Sequence, residues 1–182
     1  RYLALHYIPG QKTIFQGVER LLPGERIEFS LIDGTCKRFK YYELIKPEDD
    51  ISNAEELESL LKEAVESRLV GDVPVGVFLS GGLDSSFITS LAAKHMPDIK
   101  TFSIGFDSVR HDESQYAMSM AKVCGVDHHM VEFSEKDFAS FLPEVASILD
   151  EPLGDQAALP TYKLCKEASR HVKVVLSGEG AD

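Results

Sequence analysis

The chain has 182 residues, which suits one domain or one domain with part of another, and its 43% hydrophobic and 27% charged residues are ordinary for a folded protein. Its formal net charge of -11 gives it no electrostatic reason to bind nucleic acid or an anionic membrane surface. Because no stretch is long and apolar enough to span a bilayer and no signal peptide is recognisable, we predict a cytoplasmic protein without nucleic-acid or membrane partners.

Residues 1–48 are predicted to form a small β element. Residues 26–32 alternate apolar and polar side chains, and residues 35–42 form a second, aromatic-rich segment. Asp33 and Gly34 between them are typical of a two-residue hairpin turn. Two strands cannot form a core of their own, so we expect the hairpin to pack on another region.

An amphipathic helix follows over residues 53–70, with Ser52 as its predicted N-cap and Glu55 completing a capping box. From there strands and helices alternate. This alternation predicts an α/β fold in which a parallel sheet carries helices on both faces. The predicted strands are 73–79, 101–106, 129–133 and 172–176, and the predicted helices are 84–95, 112–124, 135–149 and 160–171.

Side chains that could bind a metal or form disulfides are sparse. Cys36, Cys124 and Cys165 are odd in number and lack a C-x-x-C motif, which argues against a disulfide framework or a zinc site. We expect free thiols, buried or half-buried, in a reducing compartment. His128 and His129 have no third ligand near them in the sequence, so we expect surface or interface histidines.

The segment Ser80-Gly81-Gly82-Leu83-Asp84-Ser85-Ser86 lies between the first strand of the alternating part and its helix. Two glycines allow a tight turn and a close approach to a ligand, and their N–H groups with the first helical turn form an anion site. The helix dipole adds partial positive charge, and Ser80, Ser85 and Ser86 add hydroxyl donors. We therefore predict that this loop binds the polyphosphate of ATP, with Asp84 as a ligand of Mg²⁺.

Three other motifs are absent from this loop. No lysine stands where a Walker loop requires one, and the dinucleotide motif G-x-G-x-x-G does not occur. Phe78 occupies the position of the first glycine of a nucleophile elbow, so a serine hydrolase is disfavoured.

The loop resembles that of the ATP-pyrophosphatase family, and the whole chain more closely resembles glutamine-hydrolysing asparagine synthetases. The further blocks that match in order are residues 7–10, 13–17, 22–24, 73–76, 102–106, 111–114, 128–129, 150–155 and 176–182. The resemblance implies that residues 1–48 are the C-terminal end of a glutaminase domain with its linker. It also implies that residues 49–182 are the N-terminal part of the ATP-binding synthetase domain.

The resemblance assigns roles to individual residues. Ser80, Gly81, Gly82, Ser85 and Ser86 hold the pyrophosphate, Leu79 and Ile104 flank the adenine, and Ser177 and Gly178 lie against the nucleotide. Asp84 and Asp182 share Mg²⁺, while Glu179 and Asp182 face aspartate or its adenylate, which makes Asp84, Glu179 and Asp182 the catalytic group. Gln156 and Ala157 depart from the small hydroxylated residues that relatives often have there, which leaves the exact acid substrate open.

The implied substrates are ATP, aspartate and ammonia from glutamine. The glutaminase nucleophile and the later synthetase half, with its catalytic lysine, are expected outside these 182 residues, so the chain alone is expected to be inactive. A homo-oligomer and a monomer both stay open.

Three alternatives remain beside this interpretation. A related amide-forming ligase, making a β-lactam or a cyclic peptide, would keep most of the same blocks. A tRNA-modifying or sulfur-transferring ATP pyrophosphatase commonly needs paired cysteines and a basic surface, which this acidic chain lacks. A non-catalytic nucleotide sensor would not need the metal ligand Asp84.

Overall fold

The structure is a computed structural model that describes residues 2–44, 53–107 and 112–179. The chain divides into two compact units. The first comprises Arg1–Asp50 with Ser147–Asp155, and the second comprises Ile51–Ala146 with Gln156–Asp182. Within the described ranges no helix is long and apolar enough to cross a membrane.

The first unit contains the predicted hairpin. After a one-turn helix, α1 (Tyr2–Leu5), strands β1 (Glu25–Phe29) and β2 (Cys36–Lys40) pair antiparallel. The predicted two-residue turn is wrong, because six residues connect the strands. Within this loop Ser30 N–H donates to the Thr35 carbonyl at 2.9 Å, and the Asp33 side chain accepts from Thr35 N–H at 3.1 Å. These bonds close a longer loop than the sequence suggested.

The segment Ser147–Asp155 belongs to this unit through polar contacts. Arg20 forms an ion pair with Glu151 and also donates to the Ile8 carbonyl at 3.0 Å. Gly154 N–H donates to the His6 carbonyl at 2.8 Å. The described hairpin strands have no fully buried residue, which agrees with a sheet too small to have its own core.

The second unit is the predicted α/β fold. Its four strands are all parallel and lie in the order β5-β4-β3-β6, so the chain reverses its direction of winding at β3. The elements are α2 (Ala54–Leu69), β3 (Val75–Phe78), α3 (Leu83–His95), β4 (Lys100–Phe106), α4 (Ser114–Cys124), β5 (Asp127–Phe133), α5 (Glu135–Ile148), α6 (Ala158–Ala168) and β6 (Val174–Leu176).

Apolar side chains fill both faces of this sheet. On one face Val77 packs with residues of α2 and α3, among them Val65 and Leu91. On the other face Phe102, with no exposed surface, packs with Leu164 of α6. This arrangement explains the continuous apolar run of β3, since strands covered by helices on both faces are normally apolar on both sides.

Two local predictions need correction. The predicted cap Ser52 lies outside the described residues, and the N-cap of α2 is Asn53, whose side chain accepts from Glu56 N–H at 2.7 Å. The three cysteines are free as expected, but only Cys124 is half-buried, while Cys36 and Cys165 are exposed. Cys36 lies on β2, whose residues are all exposed, and Cys165 is exposed although it directly follows the buried Leu164 of α6.

A capping box fixes the start of α5. Ser134 N–H donates to Asp137 Oδ2 at 2.8 Å, and the Ser134 hydroxyl donates to the same oxygen at 2.7 Å. Lys163 of α6 forms an ion pair with that oxygen at 2.9 Å. The hydrogen bonds from Ser134 and Lys163 lower the pKa of Asp137 from 3.8 to about 2. The carboxylate therefore links the start of α5 to the middle of α6.

We predict that Asp137 makes the stability depend on acid pH. Because its folded pKa is depressed, its contribution is fully present above about pH 4 and is lost as pH falls toward about 2. The difference in unfolding free energy between the native protein and Asp137→Asn should shrink over this range, measured by urea unfolding at several pH values. The exposed acid Glu135 in the same turn gives the control, Glu135→Gln. A difference that stays constant from pH 4 to 2 would contradict this assignment.

Candidate functional site

A cavity of about 600 Å³ opens at the carboxyl ends of β3, β4 and β6. In parallel α/β sheets ligands bind at this edge, where the winding reverses. Most of the residues that line it belong to three stretches of chain: the loop after β3, the end of β4, and the loop after β6. Their lining residues are Ser80, Gly82, Asp84, Ser85, Ser103, Ile104, Phe106, Ser177, Gly178 and Glu179.

Serine hydroxyls organise the loop after β3. The Ser80 and Ser85 hydroxyls are 2.9 Å apart, and Gly82 N–H donates to Ser80 Oγ at 3.3 Å. Ser85 is buried, and its hydroxyl also approaches the Gly82 carbonyl at 3.2 Å. Gly82 is the N-cap of α3, and Ser86 N–H donates to its carbonyl at 3.0 Å. The loop is thus ordered by its own side chains, with the amino end of α3 directed at the cavity.

Gly81 holds the loop against α4. Its φ is +90°, in the region that disfavours L side chains. A Cβ atom there would lie 2.6 Å from both the backbone nitrogen of Ala117 and Cβ of Tyr116. Only glycine fits this position, so the second residue of the predicted phosphate loop is required for packing as well as for conformation.

The loop after β6 converges on the same point. A Cβ added to Gly178 would lie 3.2 Å from Asp84 Cβ and 3.3 Å from the backbone nitrogen of Ser85. Asp84 and Glu179 therefore line one cavity although they are 95 residues apart in the chain. Parallel pairing of β3 with β6 produces this proximity.

The remaining predicted residues fall into three groups. Leu79 and Ile104 line the cavity from its apolar side, with Leu79 also packed on Ala117 of α4. Gly81 and Ser86 support the loop without lining the cavity. Asp182 lies outside the described residues.

Charge in the cavity is entirely acidic among the described lining residues. Asp84, Glu113 and Glu179 contribute carboxylates, and no lysine or arginine lines this part. Among the described residues no group of three or more His, Cys, Asp and Glu side chains could hold a metal by itself. An anion bound here would need the α3 dipole and a cation shared with the ligand, which is how proteins usually bind Mg²⁺.

Sequence reasoning missed three polar lining residues, Ser103, Glu113 and Thr161, as well as the apolar side chains that complete the wall. A signal existed for Ser103, since a polar residue inside a buried strand is unusual. Glu113 lay within a matching block but received no role. Thr161 gave no signal in the sequence, because it is simply the second residue of the helix predicted from Pro160.

The two histidines expected at a surface or an interface lie at contacts between elements. His128 and His129 are both half-buried, and they lie on opposite faces of β5. His129 stacks on Phe102 with ring centroids 5.2 Å apart, while His128 bonds to Thr101 and Ser103. Both rings are held between neighbouring elements.

Comparison with known proteins gives one family. The asparagine synthase family matches residues 56–182. A putative glutamine-hydrolysing asparagine synthetase of Mycobacterium bovis is 37% identical over 100% of this chain, and one of Methanocaldococcus jannaschii is 38% identical over 100%. The chain spans 29% and 36% of these two relatives.

A solved structure supports the fold. The glutamine-dependent NAD⁺ synthetase of Acinetobacter baumannii, determined with ADP, matches with a TM-score of 0.51 at 17% identity. The match covers 78% of this chain and 29% of that one. Because the family match extends over more than half of the sequence, we conclude that this chain belongs to the asparagine synthase family.

Proposed function

We propose that this chain forms part of the ATP site of a glutamine-hydrolysing asparagine synthetase. The observation that carries the proposal is the convergence of the serine-organised loop 80–86 and the loop 177–179 on one cavity at the carboxyl edge of a parallel sheet. Membership of the asparagine synthase family and similarity along the whole of this chain to part of named asparagine synthetases support it.

In this proposal ATP lies across the edge of the sheet. The N–H group of Gly82, the amino end of α3 and the hydroxyls of Ser80 and Ser85 bind the β- and γ-phosphates, while Gly81 and Ser86 hold the loop in place around them. The adenine lies between Leu79 and Ile104, which supply the apolar wall of the cavity. Ser177 and Gly178 lie against the nucleotide from the neighbouring loop.

The residues present fit a magnesium ion. The acids that line the cavity provide the oxygen donors that Mg²⁺ prefers. Because no lysine or arginine lines the described part of the cavity, no protein cation neutralises the charge of the phosphates there. Asp84 and Asp182 would hold the ion. When bound, it would neutralise negative charge on the departing pyrophosphate.

The proposed reaction has two steps. A carboxylate is a poor electrophile, so an oxygen of the aspartate side chain first attacks the α-phosphorus of ATP, forming a mixed anhydride with AMP and releasing pyrophosphate. Ammonia then attacks the activated carbon, and AMP leaves with formation of the amide. The chain's own contribution is to bind the leaving pyrophosphate at the glycine loop, an electrostatic role that needs no covalent protein intermediate. Glu179 faces the acid substrate.

Other parts of the whole protein complete this scheme. We propose that residues 1–48 end a glutaminase domain and that residues 49–182 begin the synthetase domain. The relatives are about three times longer, since the chain spans 29% of the first of them, so the glutaminase and the later synthetase half would supply ammonia and further catalytic groups. The chain alone is then expected to be inactive, and the whole protein to act in the cytoplasm.

The acid substrate is tested on the whole protein. It is incubated with ATP, Mg²⁺, glutamine and either aspartate or another carboxylic acid, and pyrophosphate and amide are followed. Release that depends on aspartate, with asparagine formed, supports the proposal. Release with another acid would make the protein a related amide-forming ligase. ATP binding without release for any acid would favour a nucleotide sensor.

We predict that Asp84→Asn in the whole protein lowers kcat/KM for pyrophosphate release by about 100-fold or more, because it removes a charged ligand of the proposed ion. Asp98→Asn is the matched control, since Asp98 is an exposed acid that does not line the cavity. Activity of Asp84→Asn within about threefold of the native protein would rule out this role.

Gly81→Ala is predicted to destroy the loop. Its Cβ would meet the α4 backbone, and its positive φ alone costs about 1–2 kcal/mol. ATP affinity, measured by titration calorimetry, should fall at least about tenfold together with the thermal midpoint. Gly82→Ala is the control for stability, because its added Cβ would meet only Ser80 Oγ at 3.4 Å. Equal thermal midpoints for the two variants would refute the packing argument.

A further inference from the structure

A buried polar network lies beside the cavity, between β4 and β5. Thr101 is fully buried and Ser103 is 3% exposed, and both bond to the half-buried ring of His128. Strands covered on both faces in a parallel sheet are normally apolar, as Phe102 and Ile104 are on the other face of β4. Polar groups buried here need an explanation, since each costs free energy unless it is paired.

The hydrogen bonds define how the ring is protonated. The Ser103 hydroxyl donates to Met130 Sδ at 3.2 Å, so Ser103 Oγ is left to accept from His128 Nε2–H at 3.0 Å. A neutral imidazole has one N–H and one acceptor nitrogen. His128 Nδ1 then accepts from the Thr101 hydroxyl at 2.8 Å, a much shorter contact than the 3.5 Å between that hydroxyl and its other acceptor, the Asp127 carbonyl.

The surroundings favour this neutral form. Burial lowers the pKa of His128, and the neighbouring His129 lowers it further, against an opposing effect of Asp127. The ring therefore acts as a fixed bridge, with its donor side on Ser103 and its acceptor side on Thr101.

Of the three bonded residues only Ser103 lines the cavity. Its neighbour Ile104 lines it as well, so the end of β4 forms the cavity wall. The last backbone bond from the β3 side to β4 runs from Leu79 N–H to the Phe102 carbonyl at 2.9 Å, and from Ser103 onward β4 pairs only with β5 among the described strands. The wall is thus held from the side of β5, by the backbone pairing of the two strands and by the His128 ring, which reaches the Ser103 side chain.

We propose that His128 is a positioning residue for the nucleotide cavity: its Nε2–H fixes the Ser103 hydroxyl and thereby the wall formed by the end of β4. This inference rests on the proposed ATP site. His128 itself touches neither the nucleotide nor the reacting atoms, and it acts through Ser103.

Two substitutions separate the two sides of the ring. His128→Gln places an amide N–H near the position of Nε2 and keeps a donor for Ser103, whereas His128→Asn places its amide near Nδ1 and keeps only the Thr101 side. Each variant loses one buried hydrogen bond, so both should lower the thermal midpoint of the whole protein to a similar extent.

The kinetic constants for pyrophosphate release then distinguish positioning from mere stability. We predict that His128→Asn raises KM for ATP about three- to tenfold, which corresponds to the loss of one hydrogen bond, while kcat stays within about twofold of the native value. Ser103→Ala should act similarly. His128→Gln should keep KM within about twofold of the native value, because this variant retains the N–H donor to Ser103.

The outcomes separate failure of this inference from failure of the proposed function. If the native protein releases pyrophosphate and His128→Asn and His128→Gln have the same KM for ATP, His128 serves stability alone and the inference is overturned. If the native protein neither binds ATP nor releases pyrophosphate with any acid, the proposed function fails, and the inference fails with it.

Discussion

The close packing of the glycine loop on α4 is the constraint on which the candidate site depends. Gly81 sits where a methyl group would overlap the backbone of Ala117, and this contact sets the path of the chain between β3 and α3. With the loop fixed there, the amino end of α3 opens into the cavity, and Gly178 can approach Asp84 from the loop after β6. Two sequence segments far apart in the chain thereby meet at one edge of the sheet.

In the proposed function, electrostatics require that a polyphosphate bind at this edge together with a cation. The described lining carries carboxylates and no basic side chain, so direct neutralisation by lysine or arginine, as in a Walker loop, is absent from this part of the site. Backbone N–H groups and the dipole of α3 provide partial positive charge, and the oxygen donors provide a place for a hard divalent ion. The arrangement favours a ligand that brings its own metal.

The fold of the second unit could be predicted from the sequence because its strands are short, continuous apolar runs separated by helices with clear ends. Val75–Phe78 and Gly125 illustrate this, the first as a fully apolar strand and the second as the left-handed cap that ends α4. The candidate loop was predictable for a related reason, since its glycines and serines are adjacent in the chain. The loop between the hairpin strands was not predictable, because Ser30 and Asp33 close it with side-chain bonds that no two-residue pattern encodes.

Contacts between distant segments are the part that the sequence could not supply. The role of Ser103 depends on a histidine 25 residues later that reaches across from the next strand. Likewise, the N-cap at Asn53 was misplaced by one residue because Ser52 and Asn53 are both good caps, and only geometry decides between them. Local patterns thus predicted the elements and the place of the glycine loop between β3 and α3, while side-chain partners required the packed structure.

The central claim is that residues 80–86 and 177–179 bind the same nucleotide, and amide hydrogen exchange of the whole protein tests it most directly. Exchange is compared by mass spectrometry with and without saturating ATP and Mg²⁺. We expect slower exchange in peptides covering both loops, and little change in the hairpin of β1 and β2. Protection of neither loop, or of only one while ATP is bound, would contradict the claim.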